Sequence, residues 1–94
     1  MAHGRRGRYF EQVPWVVYLL RCRDDSLYAG ITNDLPRRLE SHRSGKASAY
    51  TRSRRPIALA YQEALPDRGA ALKREAAIRR LSRAEKLTLC NAGT

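Results

Sequence analysis

The run Trp15-Val16-Val17-Tyr18-Leu19-Leu20-Arg21-Cys22, then Arg23-Asp24-Asp25-Ser26, then Leu27-Tyr28-Ala29-Gly30-Ile31, is the part of the chain on which the fold rests. Trp, Val, Tyr and Leu favour extended backbone. Because both alternating faces of the first segment are apolar, it is expected to be a central strand covered on both sides. The Arg-Asp-Asp-Ser stretch has turn chemistry, so the two segments form a β-hairpin. Loop parity then decides where Tyr18 and Tyr28 point. A two-residue loop at Asp24-Asp25 sends them to opposite faces, and an odd loop or a β-bulge puts them on one face. A three-residue loop Asp24-Asp25-Ser26 is the expected form. Asp25 takes the left-handed position that three-residue loops require and that Asp tolerates.

Downstream, Thr32, Asn33 and Asp34 offer helix caps and Pro36 suits a first turn; Leu35 and Leu39 make the apolar edge of a helix ending before Ser44-Gly45. Residues 46–56 read as a basic loop, and Ile57 to Glu63 as a third strand. A second helix is expected from about Asp67 to Leu81. A third is capped by Ser82, with Glu85 three residues on, and ends near Asn91 to Gly93. The expected class is α/β: a three-stranded antiparallel sheet flanked by helices, in the order β-β-α-β-α-α. Residues 1–12, with Arg5, Arg6 and Arg8, read as a basic flexible arm before a single domain at 13–94.

Charge narrows the choice of partner. Nineteen Lys and Arg against nine Asp and Glu give a formal net charge of +10, and most of the cations are Arg. Such a field favours polyanions, and arginine's paired donors match phosphate. Nucleic acid is therefore the expected partner, with Lys46, Arg52, Arg54 and Arg55 of the basic loop as phosphate contacts. No apolar run is long enough to span a bilayer, and no export signal is visible, so the expected location is cytoplasmic. Cys22 and Cys90 have no metal-ligand spacing and read as small packed hydrophobes.

Several polar residues fall where packing residues are expected. In the second helix, Ala71, Leu72 and Ile78 define the apolar stripe, and Glu75 falls inside it. A carboxylate there requires a partner or a metal, and Arg79 at i+4 is an available ion-pair partner. Arg38 and His42, also at i and i+4, share a face bordering the Leu35–Leu39 edge. Tyr18 and Tyr28, one on each hairpin strand, could be ordinary core tyrosines with bonded hydroxyls.

Together, Val17-Tyr18-Leu19, Tyr28-Ala29-Gly30, Thr32 through Arg38, His42 and the distant Glu75 form a pattern that resembles the GIY-YIG nuclease family, closest to its small stand-alone bacterial members. The resemblance runs from about Trp15 to Leu89. Val16-Val17-Tyr18 stands for the first naming triplet and Tyr28-Ala29-Gly30 for the second. It implies a metal-dependent endonuclease acting on DNA or RNA. Tyr18 would be the general base and Tyr28 would position water and phosphate. Arg38 would grip the scissile phosphate, His42 would support the site, and Glu75 would hold one Mg²⁺ or Mn²⁺ ion. No organic cofactor is implied. The competing expectations are a catalytically silent nucleic-acid-binding module and an accessory protein whose activity depends on a partner. With no separate specificity module in view, recognition is expected through phosphates and shape, with little base readout.

Overall fold

The computed structural model describes residues 14–92. The expected arm at 1–12 lies outside the described residues. Strand β1 (Trp15–Arg21) sits between β2 (Leu27–Thr32) and β3 (Ala58–Leu65) in a three-stranded antiparallel sheet of order β2-β1-β3. Helix α1 (Leu35–Arg43) and a single-turn helix α2 (Ala49–Arg52) precede β3, and α3 (Arg68–Arg79) and α4 (Arg83–Ala92) follow it. The α/β class and the antiparallel sheet are as the sequence indicates. The addition is α2, one helical turn inside the stretch expected to be a loop. Ser48 caps it by accepting the Thr51 backbone N–H at 3.1 Å.

Caps set the other helix starts. Asp34 accepts from the Arg37 N–H, and Asp67 from the Ala70 N–H at 2.8 Å. At the start of α4, Ser82 Oγ accepts from the Glu85 N–H while Glu85 accepts from the Ser82 N–H, the reciprocal box that the sequence indicates. Each such cap contributes roughly 1 kcal/mol. After α1, Gly45 takes the left-handed conformation that ends a helix (φ +84).

The hairpin has an odd loop. Cys22 N–H donates to Ser26 O at 2.9 Å and Asp25 N–H to Cys22 O at 2.9 Å, leaving Arg23-Asp24-Asp25 as the three loop residues. The loop starts one residue earlier than expected, but Asp25 is the left-handed residue (φ 66) and the parity holds. Tyr18 pairs with Gly30 and Leu20 with Tyr28, so both tyrosines lie on one face.

The sheet is buried on both sides. Val17 and Leu19 pack with Ala29, Ile78 and Cys90 beneath α3 and α4. Tyr18, Leu20 and Cys22 pack with Leu39 and Ile57 on the α1 side. A bulge in β3 shifts the β1 pairing from Leu19↔Tyr61 to Leu20↔Leu59. Tyr61 therefore packs with the first cluster and Leu59 with the second. Both cysteines are buried and free. Among the described residues, no helix is long and apolar enough to cross a membrane.

Candidate active site

Tyr18 is the floor of the site. It is 1% exposed, and its phenol leans across β2 at Gly30. A Cβ at Gly30 would overlap the Tyr18 hydroxyl oxygen and lie 2.6 Å from Cζ. Glycine here makes room for the ring and does not serve a turn. The Tyr18 hydroxyl hydrogen-bonds His42 Nε2 at 2.9 Å. His42, on the buried edge of α1 beside Leu39, is itself 1% exposed. Its Nδ1 meets Thr51 Oγ1 at 2.9 Å, and Thr51 is fully buried under the one-turn helix α2. Thr51 Oγ1 in turn lies 2.9 Å from Ser48 Oγ.

Tyr28 stands beside this chain. Its ring meets His42 edge-on, with centroids 5.5 Å apart, and stacks on Tyr50 at the same separation. The Arg54 guanidinium lies 3.8 Å from the Tyr50 ring centroid. The cleft outside Tyr28 and Tyr50 has a volume of about 340 Å³ and also carries Arg79 and Lys86.

Charges converge on Tyr18 from two helices. Burial pushes its hydroxyl pKa above the ordinary phenol value, while the Arg38 guanidinium pulls it down; Tyr28 and Glu75 add to the upward push. Arg38 is exposed and lines two adjoining clefts, sharing Thr32 and Asn33 with both. Burial lowers the pKa of His42 below the usual imidazole value, and Arg38 lowers it further. Both influences favour the neutral imidazole.

Glu75 reaches the site from α3, on the opposite side of the sheet. Ala71 and Ile78 are the buried residues of that helix, and Glu75 lies partly buried on the same stripe, at i+4 from Ala71. Leu72, expected in the stripe, is 39% exposed because it lies about 100° around the helix from Ala71. Arg79 Nη2 holds Glu75 Oε2 at 2.9 Å and also donates to the Ala29 carbonyl of β2 at 3.1 Å. The intrahelical pair considered from sequence is thus formed at the site and is continuous with its cleft. Among the described residues, no three His, Cys, Asp or Glu side chains cluster as a metal cage. A hydrated Mg²⁺ or Mn²⁺ ion held by one carboxylate and completed by substrate phosphates is the kind of site this donor set fits.

The basic loop divides in two. Arg54 Nε pairs with Asp24 at 3.0 Å and its Nη1 bonds the Tyr50 carbonyl, tying the loop to the hairpin turn. Arg55 bonds the carbonyls of Arg52 and Arg43. Lys46 and Arg52 are exposed, with their side chains open to solvent. Sequence reading assigned no site role to Thr51, Ser48, Tyr50 or Arg79. The Ser48-x-x-Thr51 spacing carries a cap signal for Ser48, but nothing local indicates that Thr51 meets a histidine nine residues away.

The chain has counterparts among known proteins. Residues 14–88 match the GIY-YIG catalytic domain. A UPF0213 protein of Cupriavidus pinatubonensis is 46% identical over 76 residues, covering 81% of this chain and 84% of that protein. One from Syntrophus aciditrophicus is 50% identical over 74 residues, covering 78% and 85%. The solution NMR structure of a UPF0213 protein from Bacillus halodurans superposes with a TM-score of 0.55 at 39% identity, and a protein from E. faecalis with 0.59 at 34%. Each comparison covers 84% of both chains.

Proposed function

The chain belongs to the GIY-YIG family, and from that premise we propose that it is a metal-dependent endonuclease hydrolysing phosphodiester bonds of DNA or RNA with little sequence preference. The observation that carries this reading is the Tyr18–His42 hydrogen bond, placed where the charges of Arg38 and Glu75 both act on the phenol. A structural tyrosine needs one satisfied hydroxyl. It does not need a buried neutral imidazole, an exposed guanidinium and a carboxylate from the far side of the sheet.

The chemistry follows from the residues. Attack by water on the phosphorus needs a base, charge stabilisation and a held phosphate. Tyr18 is the base: its oxygen takes a proton from the attacking water as its own proton passes to His42 Nε2. Tyr28 positions the water and the phosphate. Arg38 donates paired hydrogen bonds to the non-bridging oxygens as charge builds there. Glu75 would hold the divalent ion, which would supply further charge stabilisation at the phosphate when bound. The phosphates flanking the scissile bond fall to Lys46 and Arg52 on one side and to Arg79 and Lys86 around the Tyr28 cleft. Arg54 and Arg55 hold the loop in place, although both remain close enough to add positive field.

One observation favours a catalytically silent nucleic-acid-binding module: Glu75 is already paired with Arg79. An accessory protein needing a partner to free Glu75 belongs to the same reading. The separating experiment incubates the full chain with labelled DNA and RNA duplexes, single strands, flaps and junctions in Mg²⁺, Mn²⁺ or EDTA. Cleavage in either metal that EDTA abolishes is the expected result. Binding without cleavage across the panel supports the silent module.

A further inference from the structure

The Tyr18 hydroxyl is buried, and its hydrogen-bond partner is His42 Nε2. A phenol can donate or accept, but the buried Tyr18 proton has no other acceptor within hydrogen-bond distance among the described residues, so Nε2 is its unprotonated acceptor. A neutral imidazole then carries its proton on Nδ1, and that N–H needs an acceptor of its own. Thr51 Oγ1, 2.9 Å away and fully buried, is that acceptor. The Thr51 hydroxyl proton goes on to Ser48, whose Oγ lies at 2.9 Å and whose carbonyl lies at 3.4 Å. Ser48 is only partly buried, so the chain of hydroxyls ends at the edge of solvent.

We infer that Thr51 fixes the His42 tautomer and that Thr51 and Ser48 are the route by which the Tyr18 proton leaves the site. The route rests on the nuclease reading; the tautomer does not. As the Tyr18 O–H bond breaks, an Nε2–H bond forms. The Nδ1–H bond breaks as Thr51 Oγ1 gains that proton and passes its original one to Ser48 Oγ, which releases its own to water. One proton enters the path at Tyr18 and one leaves at Ser48, and His42 changes tautomer without becoming imidazolium. That matters because the groups facing its ring are Tyr18 from β1, Tyr28 from β2, Thr51 from α2 and the cation of Arg38 on its own helix. None of these is an anion that would stabilise a second proton on the ring. Thr51 is therefore a positioning residue that acts through His42.

The test is ¹⁵N NMR of the histidine-labelled full chain, with His42 assigned by its loss in His42→Gln. Wild type is expected to show protonated Nδ1 and unprotonated Nε2. Thr51→Val, which keeps the shape and removes the acceptor, is expected to shift the proton to Nε2 or to a mixture, and Thr51→Ser to restore the wild-type pattern. An Nε2–H tautomer in wild type, or a Thr51→Val spectrum like wild type, overturns the inference. If Thr51→Val does not fold, the Thr51→Ser and wild-type spectra still decide the tautomer. In the cleavage assay, Thr51→Val is expected to lose roughly tenfold to a hundredfold in rate, with recovery in Thr51→Ser. Full activity of Thr51→Val overturns the exit route even where the tautomer holds. If the wild type cuts nothing, the nuclease reading and the exit route both fail, and the NMR result alone decides the tautomer.

Discussion

The two faces of β1 alternate residue by residue and are built on different principles. Val17 and Leu19 face Ala29, Ile78 and Cys90, a cluster whose buried side chains are all apolar. Tyr18, one residue away, faces a buried imidazole and a buried threonine hydroxyl. Unpaired, such polar groups cost roughly 1–3 kcal/mol each, so removing one partner on this face leaves the others costly to bury. The α3–α4 side is held by apolar packing, and the α1–α2 side adds a buried hydrogen-bonded chain to its apolar contacts. Glu75 joins them, because it sits in the apolar stripe of α3 yet its charge is felt at Tyr18.

The largest expected effect tests that junction. Glu75→Ala is expected to lower cleavage by about a thousandfold or more, in line with removal of a metal and its charge stabilisation, while nucleic-acid binding persists. A variant that cuts at the wild-type rate in Mg²⁺ removes Glu75 from the site. On the apolar face, Ile78→Ala is expected to cost about 2–5 kcal/mol in urea unfolding and to leave the rate per folded molecule unchanged. A specific loss of rate at a temperature where the variant is folded would show that the two faces are not separable.

Two further variants sharpen the polar face. Arg38→Ala is expected to lose about a hundredfold in rate, and Arg37→Ala much less. The two point about 100° apart on α1, and only Arg38 acts on both Tyr18 and His42. Equal losses would break the assignment. His42 should then leave a mark on pH dependence. Its pKa in the folded protein lies below that of the unfolded chain, so the unfolded state takes up the proton first. The stability it contributes is complete above pH ~6.5 and is lost as pH falls below that value. Urea stability is expected to drop from pH 7.5 to 5.5 by more in wild type than in His42→Gln. The same slope in both would show that the imidazole is not held neutral.

The smallest effect lies outside both faces. Lys46→Ala and Arg52→Ala are each expected to reduce the slope of log affinity against log salt by about 1, uniformly across sequences. No change in slope would show that the exposed half of the loop does not meet phosphate.

The sequence reveals much of this where the signal is local. The hairpin, its odd loop and the left-handed Asp25 follow from turn chemistry and strand alternation, even though the loop begins one residue earlier than expected. The Ser82–Glu85 box is legible because both partners lie within one turn. What local pattern conceals depends on tertiary pairing. Arg54 and Arg55 read as phosphate ligands, but nothing local in the sequence indicates that the fold also gives them Asp24 and the Arg43 carbonyl. Leu72 reads as core until the packing of α3 narrows its stripe to Ala71, Glu75 and Ile78. Thr51 has no pattern of its own, because the histidine that gives it meaning lies on another helix.

The Arg79 bond to the Ala29 carbonyl has a consequence for life in a crowded solution. β2 is an outer strand of the sheet, and an outer strand with free N–H and C=O groups is a template on which other chains add. Arg79 places a cation on that rim and occupies one of its acceptors, and Lys86 adds a second charge nearby. The same basic groups that line the cleft therefore put charge on the rim, which disfavours strand addition there. Replacing Arg79 with a neutral β-former would remove an ion pair and open the rim to aggregation.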